Sequence, residues 1–450
     1  MVSLSSKDAI MSLLSLASRC ARFSSNVALA LLAACGGGSG GDSAIVAANV
    51  PIQPVALAAN HTNAVSYWHD VAVATVNASG AAAATPEEQR TIFNVDMATV
   101  SLAMYDASAA IDGRYKLFGP AQSATSSGAS IDAAVGAAAY SVLQALFPNR
   151  SDQYSNAYVG FLAGLPTGDA RDKGIALGTQ VARNIVALRA DDGRSVALAP
   201  YMPGTDPGKY RGSNPVDRFR PSIRPFVLSS NDQFRPPPPP AIASTAYATD
   251  FNEVRAYGGI VSIGRTPEQL EMARFHTEPP PFFLTRNFGW FARTTANTAD
   301  AARLLALIYV ASADAIDACF EAKYFYERWR PQSAINLADT DGNDMTDAVP
   351  DWAPALPTPP HPEYPAAHGC TAGSLAEVLR QYYGTRSVGF AWDSKATNTT
   401  RTYATTDAFI EEVTSARIMG GMHFRTSLAA GTELGAKTSA YILQNKFGPR

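Results

Sequence analysis

The sequence predicts a mainly α fold, a multi-helix bundle with long Pro-rich connections, and three observations predict it. Apolar residues recur at spacings of three and four along most of the chain, strand-like alternation is almost absent, and prolines are dense over 199–246 and again at Pro279–Pro281. With 450 residues, 46% hydrophobic and 17% charged, the chain has enough apolar material to bury a large core. The formal net charge of -3 offers no cationic excess for a polyanion, so general nucleic-acid binding finds no electrostatic support. Any anion site must be local.

The first 35 residues read as an export signal. Lys7, Arg19 and Arg22 precede an apolar run from Val27 that ends in Leu32-Ala33-Ala34-Cys35, a pattern resembling a bacterial lipobox whose cysteine is acylated. An ordinary signal peptide cut nearby is the alternative, and Met11 would give a leader of more usual length. Residues 36–60 suit a flexible linker, and 61–450 a single helical domain with an N-terminal half to about 290 and a catalytic half beyond. Localisation follows as the bacterial cell envelope, anchored at Cys35, or the periplasm or medium. No other stretch reaches the roughly 18 apolar residues of a membrane span. Beyond Cys35 only Cys319 and Cys370 remain, too few for a disulfide framework or a thiolate zinc site. They are read as two buried thiols, with a single bridge as the alternative.

Met97, Val100, Met104, Ala107 and Ile111 predict one amphipathic helix, and Ile131, Val135, Ala138, Val142 and Ala145 a second, stopped by Pro148. A further helical stretch runs from about 151 to 190. Residues 199–246, with Pro203, Pro207, Pro215, Pro221 and Pro225 among the prolines before Pro236–Pro240, forbid regular helix and read as a rigid belt over the bundle. Pro279–Pro281 leads into Phe282, Phe283, Phe288, Trp290 and Phe291, read as core or pocket wall. Helical signals return at Thr298–Tyr326, Thr371–Tyr383, Thr406–Met419 and Ser427–Leu443.

Three segments concentrate cationic and imidazole groups: Lys323 to Pro331, Tyr364 to Gly369, and Ala416 to Phe424. In continuous helix Lys323 and Arg330, two turns apart, would point to one side, with Pro331 ending or bending the helix. His368 stands just before the helix expected at Thr371, where unpaired amides and the positive dipole end attract oxyanions. Arg417 and His423 are six apart and would sit about 120° from each other on an ideal helix. Gly420-Gly421 permits a break that returns His423 toward Arg417, and Gly431 and Gly435 offer small faces for close packing. Taken singly, each segment is equally a solvated helix end or a satisfied core histidine. Together they suggest an anion cage.

The order K-x6-RP, P-x-x-H-G and A-R-x5-H resembles the tripartite signature of type 2 phosphatidic-acid phosphatases and vanadium haloperoxidases. KYFYERWRPQSAI (323–335), HPEYPAAHG (361–369) and ARIMGGMHF (416–424) are similar in detail to the bacterial haloperoxidase-like branch, and the likeness extends over nearly all of 64–446. The resemblance implies a haloperoxidase/acid-phosphatase type of bundle and a vanadate cofactor, or phosphate in its place. His423 would be the axial ligand; Lys323, Arg330, Arg417 and the Ala367 amide would bond the oxyanion oxygens; His368 would handle peroxide protons. Hydrogen peroxide, a halide and a small organic molecule would be the substrates.

Two departures from the pattern stand out. Ala366 and Ala367 replace the usual Ser-Gly, removing a hydroxyl, and Ser427 occupies the place where an Asp often orients the second histidine. A weaker or different set of partners around His423 would follow. Besides haloperoxidase chemistry, the same residues suit an acid phosphatase with His423 as nucleophile, against which the missing Asp counts, or an envelope lipoprotein that keeps the bundle without catalysis. Trp329, Phe424 and the aromatic segment after Pro281 are candidate walls for a halide pocket.

Overall fold

A computed structural model describes residues 61–80 and 91–450. The expected export leader, Cys35 and the whole of the expected linker lie outside them. The described residues form thirteen α-helices and one β-hairpin. Helices α1 (Ala64–Gly80), α2 (Phe93–Asp112), α3 (Ile131–Leu146), α4 (Ser151–Ala163) and α5 (Asp169–Leu188) make the N-terminal part. The single stretch expected from 151 to 190 is thus two helices, parted by a turn in which Gly168 takes φ +120°. No single described helix is long and apolar enough to cross a membrane.

The organising element is α9 (Thr298–Tyr326). Its Asn297 side chain caps the start by accepting from the Ala299 and Asp300 amides, and its Ala- and Leu-rich sequence is buried on nearly every face. A helix apolar all round belongs inside other helices. Helix α2, also buried almost throughout, packs on it together with α8 (Pro280–Thr294), α11 (Ala367–Tyr383) and α13 (Arg425–Asn445).

Three further helices fall between the belt and Thr298, where the sequence predicted none: α6 (Thr245–Tyr257), α7 (Pro267–Phe275) and α8. Here proline starts helices. Pro267 and Pro280 sit in first turns, where their missing N–H costs nothing, and Thr266 with Gln269 completes a capping box. The unexpected hairpin pairs β1 (Phe390–Ser394) with β2 (Thr399–Tyr403) in antiparallel register. Its inner face is aromatic, with Trp392 against Phe409 and Phe283, while β2 is largely exposed and polar, which blurs the alternation.

The belt expected at 199–246 is confirmed, broken only by a short turn at Arg220–Ser222 and by the start of α6. Asp314 on α9 accepts from the amides of Phe226, Val227 and Leu228. Further along, the Tyr210 amide donates to Glu327 O and the Trp329 amide to Gly208 O, and the Tyr326 and Tyr364 hydroxyls bond the carbonyls of Pro236 and Pro237. The belt therefore grips the chain just after α9, where Arg330 stands.

Helices α11 and α13 lie unusually close. A Cβ on Gly373 would stand 2.1 Å from Thr432 O, and one on Gly435 2.0 Å from Cys370 O; on Gly369 and Gly431 it would meet Leu428 O at 2.5 Å and Ala366 O at 2.4 Å. Cys319 and Cys370, expected as separate thiols, are joined in a disulfide with their Cα atoms 6.4 Å apart, tying α9 to α11.

Candidate active site

Lys323 ends up fully buried in the last turn of α9, but that helix does not continue to Arg330. Glu327 takes a left-handed conformation, φ 52°, and closes it; Arg330 is the residue before α10 (Pro331–Asn336), which Pro331 begins rather than breaks. The two cations converge through this turn, not through a shared helix face. Lys323 Nζ donates to the carbonyls of Pro362 and Glu363 at 2.9 and 3.0 Å, and Arg330 Nε to His361 O at 2.8 Å. Both therefore clasp the segment 361–363.

His368 lies inside the first turn of α11, four residues earlier than the helix start expected from the sequence. Ala366 caps this helix without a side-chain bond, the local consequence of the absent hydroxyl. The amides of Ala367, His368 and Gly369 precede the first intrahelical bond, made by the Cys370 amide to Ala366 O. His368 Nε2 is 3.3 Å from His276 O, and Arg417 donates to the same carbonyl at 3.2 Å.

The break at Gly420-Gly421 is present. Helix α12 (Thr406–Met419) ends there, Gly421 takes φ +78°, and α13 resumes at Arg425, two residues earlier than expected. A Cβ on Gly421 would meet Gly258 O at 2.3 Å, so glycine is required on both counts. His423 is fully buried and its Nε2 is 3.1 Å from Arg330 Nη1. All five expected side chains share one neighbourhood: the fields of Arg330, Lys323 and Arg417 act on His423, and those of Arg417 and Lys323 on His368.

One partner was missed. Glu363 Oε1 accepts from His423 Nδ1 at 2.8 Å and from the Phe424 amide at 3.1 Å, and both side chains are buried. The carboxylate expected four residues after His423 arrives instead from the segment before α11. Ser427, in the expected place, bonds Glu363 O through its hydroxyl. His361 was also overlooked: its Nδ1 is 3.0 Å from Arg330 Nη2. The only sequence signal for Glu363 was chemical, an acidic residue in a segment otherwise rich in histidine and facing cations.

Burial dominates the electrostatics. It pushes the Arg330 guanidinium down to about 10 and Arg417 to about 9, and Lys323 well below its usual range. Burial, then the neighbouring cations, hold His361, His368 and His423 well below the ordinary imidazole value, so all three are neutral. Glu363 is pushed up by burial, against the pull of Lys323 and Arg330. Three buried cations thus face one buried carboxylate, and Arg417 Nε has no partner among the described residues. A multiply charged oxyanion would answer both the excess charge and the free donor. With Nδ1 committed to Glu363, the remaining lone pair of His423 is on Nε2, the nitrogen a metal ligand would offer.

A cavity of about 600 Å³ opens beside the cage. His368, Arg417 and Ala367 line it; Lys323, Arg330 and His423 do not. Phe282 and Phe283 are in its wall as expected, whereas Trp329 and Phe424 are packed in a separate apolar cluster with Tyr247 and Phe251.

Residues 303–446 match the family model described as the VCPO second helical-bundle domain. The vanadium chloroperoxidase of Curvularia inaequalis is 37% identical over 105 residues, covering 21% of this chain and 17% of that protein. Within residues 303–446 the chain is therefore similar in sequence to the vanadium haloperoxidases. The chain spans under a fifth of that fungal haloperoxidase's length in this match. Among solved structures, the first bacterial vanadium-dependent iodoperoxidase superposes with a TM-score of 0.67 at 21% identity, covering 86% of this chain and 95% of that one. A holo-type bacterial vanadium-dependent chloroperoxidase gives 0.62 at 15% identity, covering 84% and 96%. At these identities the haloperoxidase likeness is one of fold, and it takes in the N-terminal helices that the family model leaves unmatched.

Proposed function

We propose that this protein is a vanadate-dependent haloperoxidase, oxidising a halide with hydrogen peroxide to hypohalous acid. The observation that carries this reading is the buried excess of cations, Lys323, Arg330 and Arg417, gathered round a neutral His423 whose Nδ1 is bound to Glu363. Vanadate bound there would supply a Lewis acid that polarises peroxide toward attack by halide. His423 would ligate through Nε2, and Glu363 fixes its tautomer, orients its ring and raises its basicity. Lys323, Arg330 and Arg417 would donate to the oxyanion oxygens, with the Ala367 amide beside them. Neutral His368, in the cavity wall, would take a proton from entering peroxide and return it to the departing oxygen.

A second reading gains support from one observation. The Glu363–His423 pair supplies the carboxylate partner that a nucleophilic histidine needs, so the lack of an Asp at 427 no longer counts against an acid phosphatase. The test is halide-dependent oxidation of phenol red or monochlorodimedone by hydrogen peroxide, with and without orthovanadate. Activity that requires vanadate and is abolished in His423→Ala is the expected result. Silence with every halide, together with vanadate-inhibited release of phosphate from an aryl phosphate, would replace this reading by the phosphatase.

A further inference from the structure

The first turn of α11 lacks the anchor that such a turn ordinarily has. The amides of Ala367, His368 and Gly369 have no intrahelical partner, and Ala366 at the cap carries no side-chain oxygen to fix them. A helix end left in this state frays.

A different bond holds this one. Cys370, whose amide closes the turn on Ala366 O, is joined through sulfur to Cys319 on α9. Cys319 stands about one helical turn before Lys323, and its sulfur lies 3.7 Å from the carbonyl of Pro365, the residue that leads into the cap. Helix α13 meets the same cysteine: a Cβ on Gly435 would stand 2.0 Å from Cys370 O, and one on Gly431 3.3 Å from Cys370 Sγ. The cross-link thus fixes the start of α11 to the helix that bears Lys323, at the point where the helix following His423 also packs. The cysteines are 51 residues apart, and Lys323, Arg330, Glu363 and His368 all lie between them.

We propose that the Cys319–Cys370 bond is a redox latch on the oxyanion site, doing the work of the missing cap hydroxyl, so that a chain folded without it binds oxyanions weakly. The latch takes the oxyanion's place from the haloperoxidase reading and needs none of its peroxidase chemistry. Without the bond, each oxyanion that enters must first order the three amides, and that ordering is subtracted from its affinity. Both sulfurs are fully buried, so the bond is set while the chain folds and is afterwards shielded from reductants. In exchange with a donor such as glutathione disulfide, one thiolate attacks a donor sulfur and the second thiolate breaks the mixed disulfide. The donor leaves as two thiols, having taken up both electrons and both protons. A reducing compartment leaves the latch open and an oxidising one closes it.

The full chain is refolded with glutathione disulfide or with dithiothreitol, and the reagent is removed without air. The state of Cys319 and Cys370 is read by alkylation and peptide mass, and orthovanadate and phosphate are titrated by calorimetry into chains of matching circular dichroism. Both anions are expected to bind at least tenfold more weakly to the reduced chain, and to Cys319→Ala under either condition. That variant leaves α11 unaltered, and the reduced wild type serves where the variant fails to fold. A bond that merely stabilised the fold would lower the midpoint in urea and leave the affinity of the folded chain alone. Equal affinities in the two redox states therefore overturn the latch while leaving the haloperoxidase reading intact. An oxidised chain that binds neither anion disproves the cage itself, and the latch with it. Hydrogen exchange gives a readout free of any anion: the amides of 367–370 should exchange at least tenfold faster in the reduced chain, with those of α12 unchanged. Identical exchange at 367–370 in both states also refutes the latch.

Discussion

At the scale of single residues, the site turns on Glu363. It is the one buried carboxylate among three buried cations, and it settles which nitrogen of His423 carries the proton. Replacing it by Gln removes the charge but keeps the size. Vanadate affinity is expected to fall by about 10–100-fold, because ligation depends on the basicity that the carboxylate lends. Phosphate, held by charge alone, should bind no more weakly. Competitive titration of the two anions checks this, and equal weakening of both would show that Glu363 merely holds the fold. Ala366 is the complementary case. Its side chain leaves the start of α11 uncapped, so Ala366→Ser should add about 1 kcal/mol by bonding the Gly369 amide. The gain is to be read as a higher midpoint in urea, and a lower midpoint would mean that this buried spot has no room for the hydroxyl.

At the scale of elements, the cage depends on how closely α11 meets α13, since His368 rides on the first and His423 precedes the second. Glycines make that approach possible. Gly373 is five residues beyond His368 on α11, and its Cβ would stand 2.1 Å from Thr432 O. Gly373→Ala is therefore expected to cost about 1–3 kcal/mol through overpacking and to weaken vanadate binding as the helices part. Thermal unfolding and vanadate titration measure both effects. An unchanged melting temperature would mean that the helix pair relaxes freely and that its contact does not set the cage.

At the scale of the whole molecule, the proposed chemistry suits an exported protein. Peroxide and hypohalous acid are best met outside the cell, and we propose that the N-terminal segment ending in Leu32-Ala33-Ala34-Cys35 is a lipoprotein export leader. In the native host or a bacterial host that lipidates exported proteins, labelled palmitate should enter the wild type and not Cys35→Ser. The variant should also leave the membrane fraction. Membrane-bound, labelled Cys35→Ser would sink the lipid-anchor reading.

The helices of the catalytic half were legible because their causes are local. The periodicity of α9, the Gly384 stop of α11 and the Gly420-Gly421 break are written in neighbouring residues, and the boundaries at Thr298, Tyr326, Thr406 and Met419 came out as expected. The five proposed site residues were legible because their order and spacing resemble a known signature. Helices α7 and α8 were hidden by prolines that start helices as readily as they end them, and the hairpin by an exposed outer strand. Only the tertiary structure decided that Lys323 and Arg330 meet through a turn, that Cys319 pairs with Cys370, that Trp329 and Phe424 belong to the core, and that Glu363 serves His423. The physical reason is one of range. Helix propensity and capping act across a few residues, whereas the charge balance of a buried site is struck between side chains some thirty to sixty or more positions apart, which meet only when the core has packed.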